Sequence, residues 1–311
     1  MQTEDPIITI GITCYREGDW LSECWESVLA QTDHRWEAVL VMDGGADTHT
    51  REIFEHLSHP KLRKFAFSEN VGPYPARNKA FELTQTPYHF YLDADDELVP
   101  NSVALVLDGF AQVPAAGCIY GDTEIFGAAT YTRQYPAYIT ADDLIEGIKP
   151  IGACAFRKDV WEQLGGYAAE LASGCGDFDF HMGMMELGIP WHHCGAVFYR
   201  YRVGHSTKVS SSYLLRFYEK IELMAKRHPV FFHDQNRLNR FIAWGYRESA
   251  YENYRAGNLI EACRLANIAV QQCPADGKLM RALAMAGGLS QPWQQWVIMA
   301  LAAHRKLTGR T

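Results

Sequence analysis

Hydrophobic positions along the chain fall into short unbroken runs separated by segments of helical spacing. "IITIGIT" (7–13) and "WEAVLVM" (36–42) are strand-like, being short, largely apolar and rich in β-branched residues. Between them, "DWLSECWESVLAQ" (19–31) sets Trp20, Leu21, Cys24, Trp25, Val28 and Leu29 on one helical face. Strand, helix and strand in that order predict a βαβ unit with parallel strands. The pattern recurs as a helix near 47–58, a strand near 63–67, a helix over 75–85 and a strand over 88–92. A doubly wound α/β sheet is predicted, and such sheets bind ligands just beyond the carboxyl ends of their strands. From residue 211 the text is helical, with "PAD" and "SQP" as breaks. We therefore divide the chain into an α/β domain over 1–210 and an all-α extension over 211–311.

Two polar clusters lie at predicted strand ends, "DGGAD" (43–47) and "DADDE" (93–97). The second follows the buried run "YHFYL", where an unpaired carboxylate is costly. It has three readings. Asp96 or Glu97 caps the following helix; the cluster is a calcium loop; or it holds Mg²⁺ or Mn²⁺ through one or two carboxylates completed by substrate phosphates. The calcium loop fails because Leu98 stands where that loop needs glycine. Asp93 and Asp95 are two apart and point the same way, which favours a shared ligand.

Composition narrows the class. The 311 residues are 48% hydrophobic, enough for a substantial core, and the net charge of −8 argues against a broad nucleic-acid surface. The eight cysteines never fall in a C-x-x-C pair, and the first residues carry acids where a secretory leader carries Lys or Arg. Reduced thiols and a cytoplasmic location are expected, with at most peripheral membrane contact, because no apolar run approaches the ~20 residues of a spanning helix. His181, His192, His193 and Cys194 lack the usual zinc-ligand spacing. The aromatic pairs Trp20/Trp25 and Phe178/Phe180 are expected in the core.

The order "ITIGITCYREGDWLSECWESVLAQT", "EAVLVMDGGAD", "SENVGPYPARNKAFELTQTPYHFYLDADDELVP", "VWEQLGGY", "GDFDFHMGMMELG" and "YRYRVGHST" resembles the inverting family 2 glycosyltransferases of the Rossmann-like GT-A fold, over residues 7–209. The most specific pieces are E-N-x-G-x-x-x-A-R-N at 69–78 and L-D-A-D-D at 92–96. The resemblance implies a nucleotide-sugar donor, UDP-linked, and a carbohydrate, lipid-linked or protein acceptor. It implies that Thr13, Tyr15 and Asp43 hold the base, with Asp43 on the uracil edge, and that Arg77 and Asn78 lie near the sugar nucleotide. It implies further that Asp95 binds the metal, that Asp93 faces ribose or a metal-bound water, that Asp177 is the catalytic base, and that His205 lies near a histidine that in some members also contacts the metal. The reaction asks for these types independently. A leaving diphosphate gathers negative charge that a divalent cation stabilises, and the attacking hydroxyl must lose a proton to a carboxylate.

The sequence departs from the family pattern in several places. The usual P-x-Y-N start is Thr13-Cys14-Tyr15-Arg16, the paired acids of the base loop are Met42-Asp43, and the E-D before the activating helix is Gly176-Asp177. The histidine register at His205 is shifted by one. Q-x-x-R-W, common in processive members, does not follow residue 177, which favours one sugar per encounter. Helix capping is the competing role for Asp177, and a surface or helix-capping position that for His205. Two rival functions are a nucleotide-sugar pyrophosphorylase, which needs a glycine-rich basic loop where "TCYREGDW" has one glycine, and a scaffold acting through its helical module. In that module Ala250, Gly257, Leu259, Ala262, Ala269 and Pro274 resemble one tetratricopeptide repeat. "PWQQWVIMALAAHRKL" (292–307) carries an apolar face whose expected cover is a second copy of the chain, the α/β domain or a membrane surface.

Overall fold

The computed structural model describes residues 5–147, 154–204, 212–274 and 278–287. The chain forms two compact units, Met1–Lys208 and Val209–Thr311.

The first unit opens as β1 (Ile8–Cys14), α1 (Asp19–Leu29), β2 (Trp36–Met42), α2 (Thr48–His56), β3 (Leu62–Ala66), α3 (Pro73–Glu82) and β4 (Tyr88–Asp93). These strands pair in parallel in the order β3-β2-β1-β4. Every residue of β1 is buried, which accounts for its unbroken apolar text. On α1 the buried face is Leu21, Cys24, Trp25 and Val28; Leu29, at the helix end, is exposed. Phe178 and Phe180 lie in the core as expected.

The rest of the sheet departs from the doubly wound expectation. β5 (Glu97–Leu98), α4 (Ser102–Gln112), β6 (Cys118–Gly127), β7 (Tyr131–Arg133), α5 (Ala141–Ile145), β8 (Ala155–Arg157), α6 (Lys158–Leu164), α7 (Gly176–Glu186) and β9 (Trp191–Val203) follow. The sheet continues β4-β8-β6-β9-β5, with β8 antiparallel to both β4 and β6, and β7 paired to β6. The alternation of strand and helix breaks after β4, so parallel crossovers give way to a mixed sheet. The long β9 runs parallel to β6 and antiparallel to β5, which brings it against the acidic turn after β4.

The second unit contains α8 (Ser212–Leu215), α9 (Phe217–Arg227), α10 (Gln235–Ala256), α11 (Leu259–Gln272) and α12 (Lys278–Gly287). Gly257, at φ 87°, ends α10, and Ala250, Leu259, Ala262 and Ala269 line the buried seam between α10 and α11. The apolar helix expected over 292–307 lies outside the described residues.

Candidate active site

Strand register creates the site. Thr13 of β1 stands opposite Val41 of β2 and Asp93 of β4, so the three strands end level. The Asp43 N–H donates to the Cys14 carbonyl at 2.8 Å, and the Ala94 N–H donates to that of Thr13 at 3.1 Å. Thr13, Asp43 and Asp93 therefore share one edge, at the carboxyl ends where an α/β sheet takes its ligand.

Asp93, Asp95 and Asp96 each offer an oxygen within 4.8 Å of the others. Their environments differ. Asp93 receives Nη2 of Arg77 at 3.1 and 3.0 Å and the Thr13 hydroxyl at 3.4 Å. Asp96 is buried; it accepts the Tyr199 hydroxyl and the Arg202 N–H, each at 2.8 Å. Glu97 stands opposite Arg200 in the β5–β9 pairing and is ion-paired to Arg200 and Arg202. Neither acid caps the next helix, which starts at Ser102 behind Asn101. The helix-cap reading of Asp96 and Glu97 is replaced by contacts to β9, because that strand crosses directly over the acidic turn. Arg202 also donates from Nε to the Asp95 carbonyl at 2.9 Å, which fixes the backbone between the acids.

Electrostatics give this edge an excess of negative charge. Burial, and then the charge of Asp93, push the Asp95 carboxyl up to about 7. Burial and its two neighbours hold Asp96 well above the carboxylate range. Glu17, in the loop after β1, is also pushed up to about 7, by burial first and then by Asp95 and Asp93. An all-oxygen donor set under such strain fits a hard cation, Mg²⁺ or Mn²⁺. Asp95 and Asp93 are half-buried and suit it better than Asp96, which is buried with both oxygens held by β9. His205 lies outside the described residues.

Arg77 is a half-buried cation at this edge. Its guanidinium lies 4.1 Å from the Tyr91 ring centre and 4.9 Å from that of Tyr74. Burial opposes its charge, yet Asp93 keeps its pKa above the ordinary arginine value. Its Nε is buried without a hydrogen-bond partner, a donor suited to an anionic group.

The other sequence-predicted residues have mixed placements. Asp43 accepts the N–H groups of Gly44 and Val71 at 2.8 Å and of Gly72 at 3.0 Å, tying the loop after β2 to the start of α3. A carboxylate has about four acceptor positions, so one is left for a ligand. Tyr15 is half-buried beneath the Arg16 guanidinium, 4.7 Å away. Asn78 turns elsewhere: its amide donates to the Tyr167 carbonyl and accepts the Tyr167 N–H, both at 2.9 Å. It anchors the Gly165–Gly166 turn and does not join the edge. Asp177 stands in the first turn of α7, where a negative charge is favoured, and accepts the Tyr74 hydroxyl at 2.8 Å. Asp179 is buried on the same helix.

Sequence reasoning missed Tyr74, Glu17, Tyr199 and Arg202. Tyr199 and Arg202 lie in "YRYRVGHST", but only the pairing of β5 with β9 shows that they hold the acidic turn.

The family model for "Glycosyl transferase family 2" matches residues 9–165, half of the chain, and includes Thr13, Asp43, Arg77 and the acidic turn. The chain belongs to glycosyl transferase family 2. Chondroitin synthase of Escherichia coli is 28% identical over 210 residues, 66% of this chain and 30% of that protein. The chain spans less than a third of the length of this and several other curated relatives. Among solved structures, S. aureus TarS 1–349 in complex with UDP-GlcNAc superposes with TM-score 0.68 at 15% identity, over 90% of this chain and 84% of that one. The mannosyltransferase PcManGT of Pyrobaculum calidifontis, in complex with GDP-Man and Mn²⁺, gives 0.54 at 18% identity, over 98% and 88%. Together with the mixed sheet, these likenesses give the GT-A fold with a helical extension.

Proposed function

We propose that this chain is an inverting, metal-dependent glycosyltransferase that moves one sugar from a UDP-linked donor to a hydroxyl acceptor. One observation carries the reading: Asp93 and Asp95 share a sheet edge with Thr13, Asp43 and Arg77, and a hydrogen bond from Tyr74 joins that edge to Asp177. Thr13, Tyr15 and Asp43 bind the nucleoside, with the remaining acceptor position of Asp43 on the uracil. Asp95 and Asp93, with His205 as a further donor, would hold a Mn²⁺ or Mg²⁺ ion, which would supply Lewis-acid stabilisation of the leaving diphosphate. Arg77 adds fixed positive charge in a low-dielectric setting. Asp177 takes the proton of the attacking hydroxyl. Attack opposite the leaving group in one displacement inverts the anomeric centre.

Solved neighbours support the donor class, since TarS is in complex with UDP-GlcNAc and the mannosyltransferase with GDP-Man and Mn²⁺. Chondroitin synthase and a teichoic acid polymerase among the relatives support an acceptor in surface polysaccharide or glycoconjugate synthesis. Catalysis belongs to residues 1–210 and the helical module to 211–311, an arrangement that the division into two compact units supports. The test is a screen of nucleotide sugars for Mn²⁺-dependent binding and hydrolysis. Selective, metal-dependent turnover of a UDP-sugar is expected. Binding that ignores metal, or a preference for GDP-sugars, overturns the corresponding part.

A further inference from the structure

We infer that Tyr74 is the positioning residue of the proposed base Asp177, and that Gly176 is what lets it act; the inference rests on the reading of Asp177 above. Tyr74 stands in the first turn of α3, is buried, and donates its hydroxyl to Asp177 Oδ1 at 2.8 Å. To reach it, the ring passes over the backbone of Gly176. A Cβ at Gly176 would lie 2.6 Å from Cγ and Cδ1 of Tyr74, closer than any side chain tolerates. The turn before α7 is bent to match: Cys175, at φ 68°, is the sole non-glycine residue with positive φ among the described residues. A second close approach joins the same segments, where Gly72, at φ 88°, faces the Ala172 carbonyl with room for no more than 3.0 Å to a Cβ.

This geometry accounts for the unusual Gly176-Asp177. A carboxylate at 176 would occupy the space of the Tyr74 ring and repel the charge on Asp177. A phenol donor does the reverse, favouring the ionised base and fixing one of its oxygens. The ring is itself held, 5.3 Å from the Tyr167 ring and 4.9 Å from the Arg77 guanidinium. Arg77, Tyr167 and Cys154, on neighbouring elements, also couple electrostatically to Asp177. α5 and α6, also packed on α7, bring Asp142, Asp143, Lys158, Asp159 and Glu162. Tyr74→Phe leaves all of these in place and removes a single oxygen.

The experiment follows the Asp177 carboxyl carbon by ¹³C NMR during pH titration of the full chain. Loss of the hydrogen bond should raise the Asp177 midpoint by about one unit in Tyr74→Phe. Gly176→Ala, which displaces the ring, should raise it similarly, and the double variant should go no further, because both changes break one contact. Calorimetric binding of UDP with Mn²⁺ should stay at the wild-type affinity in Tyr74→Phe. An unchanged Asp177 midpoint, or an equal shift at Asp179, overturns the inference. A separate arm measures UDP-GlcNAc hydrolysis by Asp177→Asn: a wild-type rate there would remove Asp177 as base while leaving the titration result to stand on its own.

Discussion

One nitrogen of Arg77 serves both carboxylate oxygens of Asp93, at 3.1 and 3.0 Å. The first acid of the D-x-D is thus already neutralised from the protein side, whereas Asp95 carries a carboxyl pushed up to about 7 by burial and by Asp93. The asymmetry divides the labour between them: Asp95 has the larger electrostatic need of a cation.

Asp95→Ala should therefore abolish Mn²⁺-dependent UDP binding while leaving the fold intact. Calorimetry with and without metal reads the first and circular dichroism the second. Unchanged metal-dependent affinity would remove Asp95 from the metal site.

Asp96→Asn should act on stability. The acid is buried and accepts hydrogen bonds on both oxygens, from Tyr199 and from the Arg202 backbone. The amide can keep its oxygen on the Arg202 N–H but meets the Tyr199 hydroxyl with an NH₂ group, so the donation from Tyr199 is lost, at about 1 kcal/mol. A urea midpoint equal to wild type would show that β9 does not depend on this contact.

Asp177→Asn keeps the shape of the side chain but accepts no proton. Transfer should fall by roughly 10² or more with donor binding kept. Near-normal turnover would move the base elsewhere, to Asp179 first.

A pH effect follows from His89. Burial pushes its imidazole down to about 3, and Nδ1 engages the Thr84 hydroxyl at 2.7 Å. An unfolded histidine titrates near ~6.5, so the unfolded chain binds the extra proton as pH drops from there towards 3, and stability is lost over that window. Between pH 7 and 5 the wild type should lose about 2 kcal/mol more than His89→Gln. Parallel urea midpoints across that range would contradict this.

The first half of the sheet was legible because β1, β2 and β4 are buried on both faces and spaced by amphipathic helices. The second half was not: β7 and β8 are three residues each and β5 is two, too short for a period to show. The same contrast runs through the site. Asp93, Asp95 and Asp177 stand in spaced motifs, whereas the Tyr74 contact joins residues 103 apart in sequence, across a turn that only close packing defines. Asn78 shows the opposite case, since a residue in a specific motif turned out to support the Tyr167 backbone.

The bridge from Asp43 to the Val71 and Gly72 N–H groups makes the loop after β2, where we propose the nucleoside binds, and the first turn of α3 a single mechanical piece. Attempts to re-engineer donor choice meet this piece first. A library that varies Asp43 for a new base would also loosen the turn from which Arg77 and Tyr74 project, so altered selectivity and lost turnover would arrive together. Tyr15 and Arg16 offer a safer pair to randomise: Arg16 is exposed, lies over the Tyr15 ring and donates to the Gly45 carbonyl, contacts that lie outside the strands. Variation there leaves the scaffold beneath the reacting groups untouched.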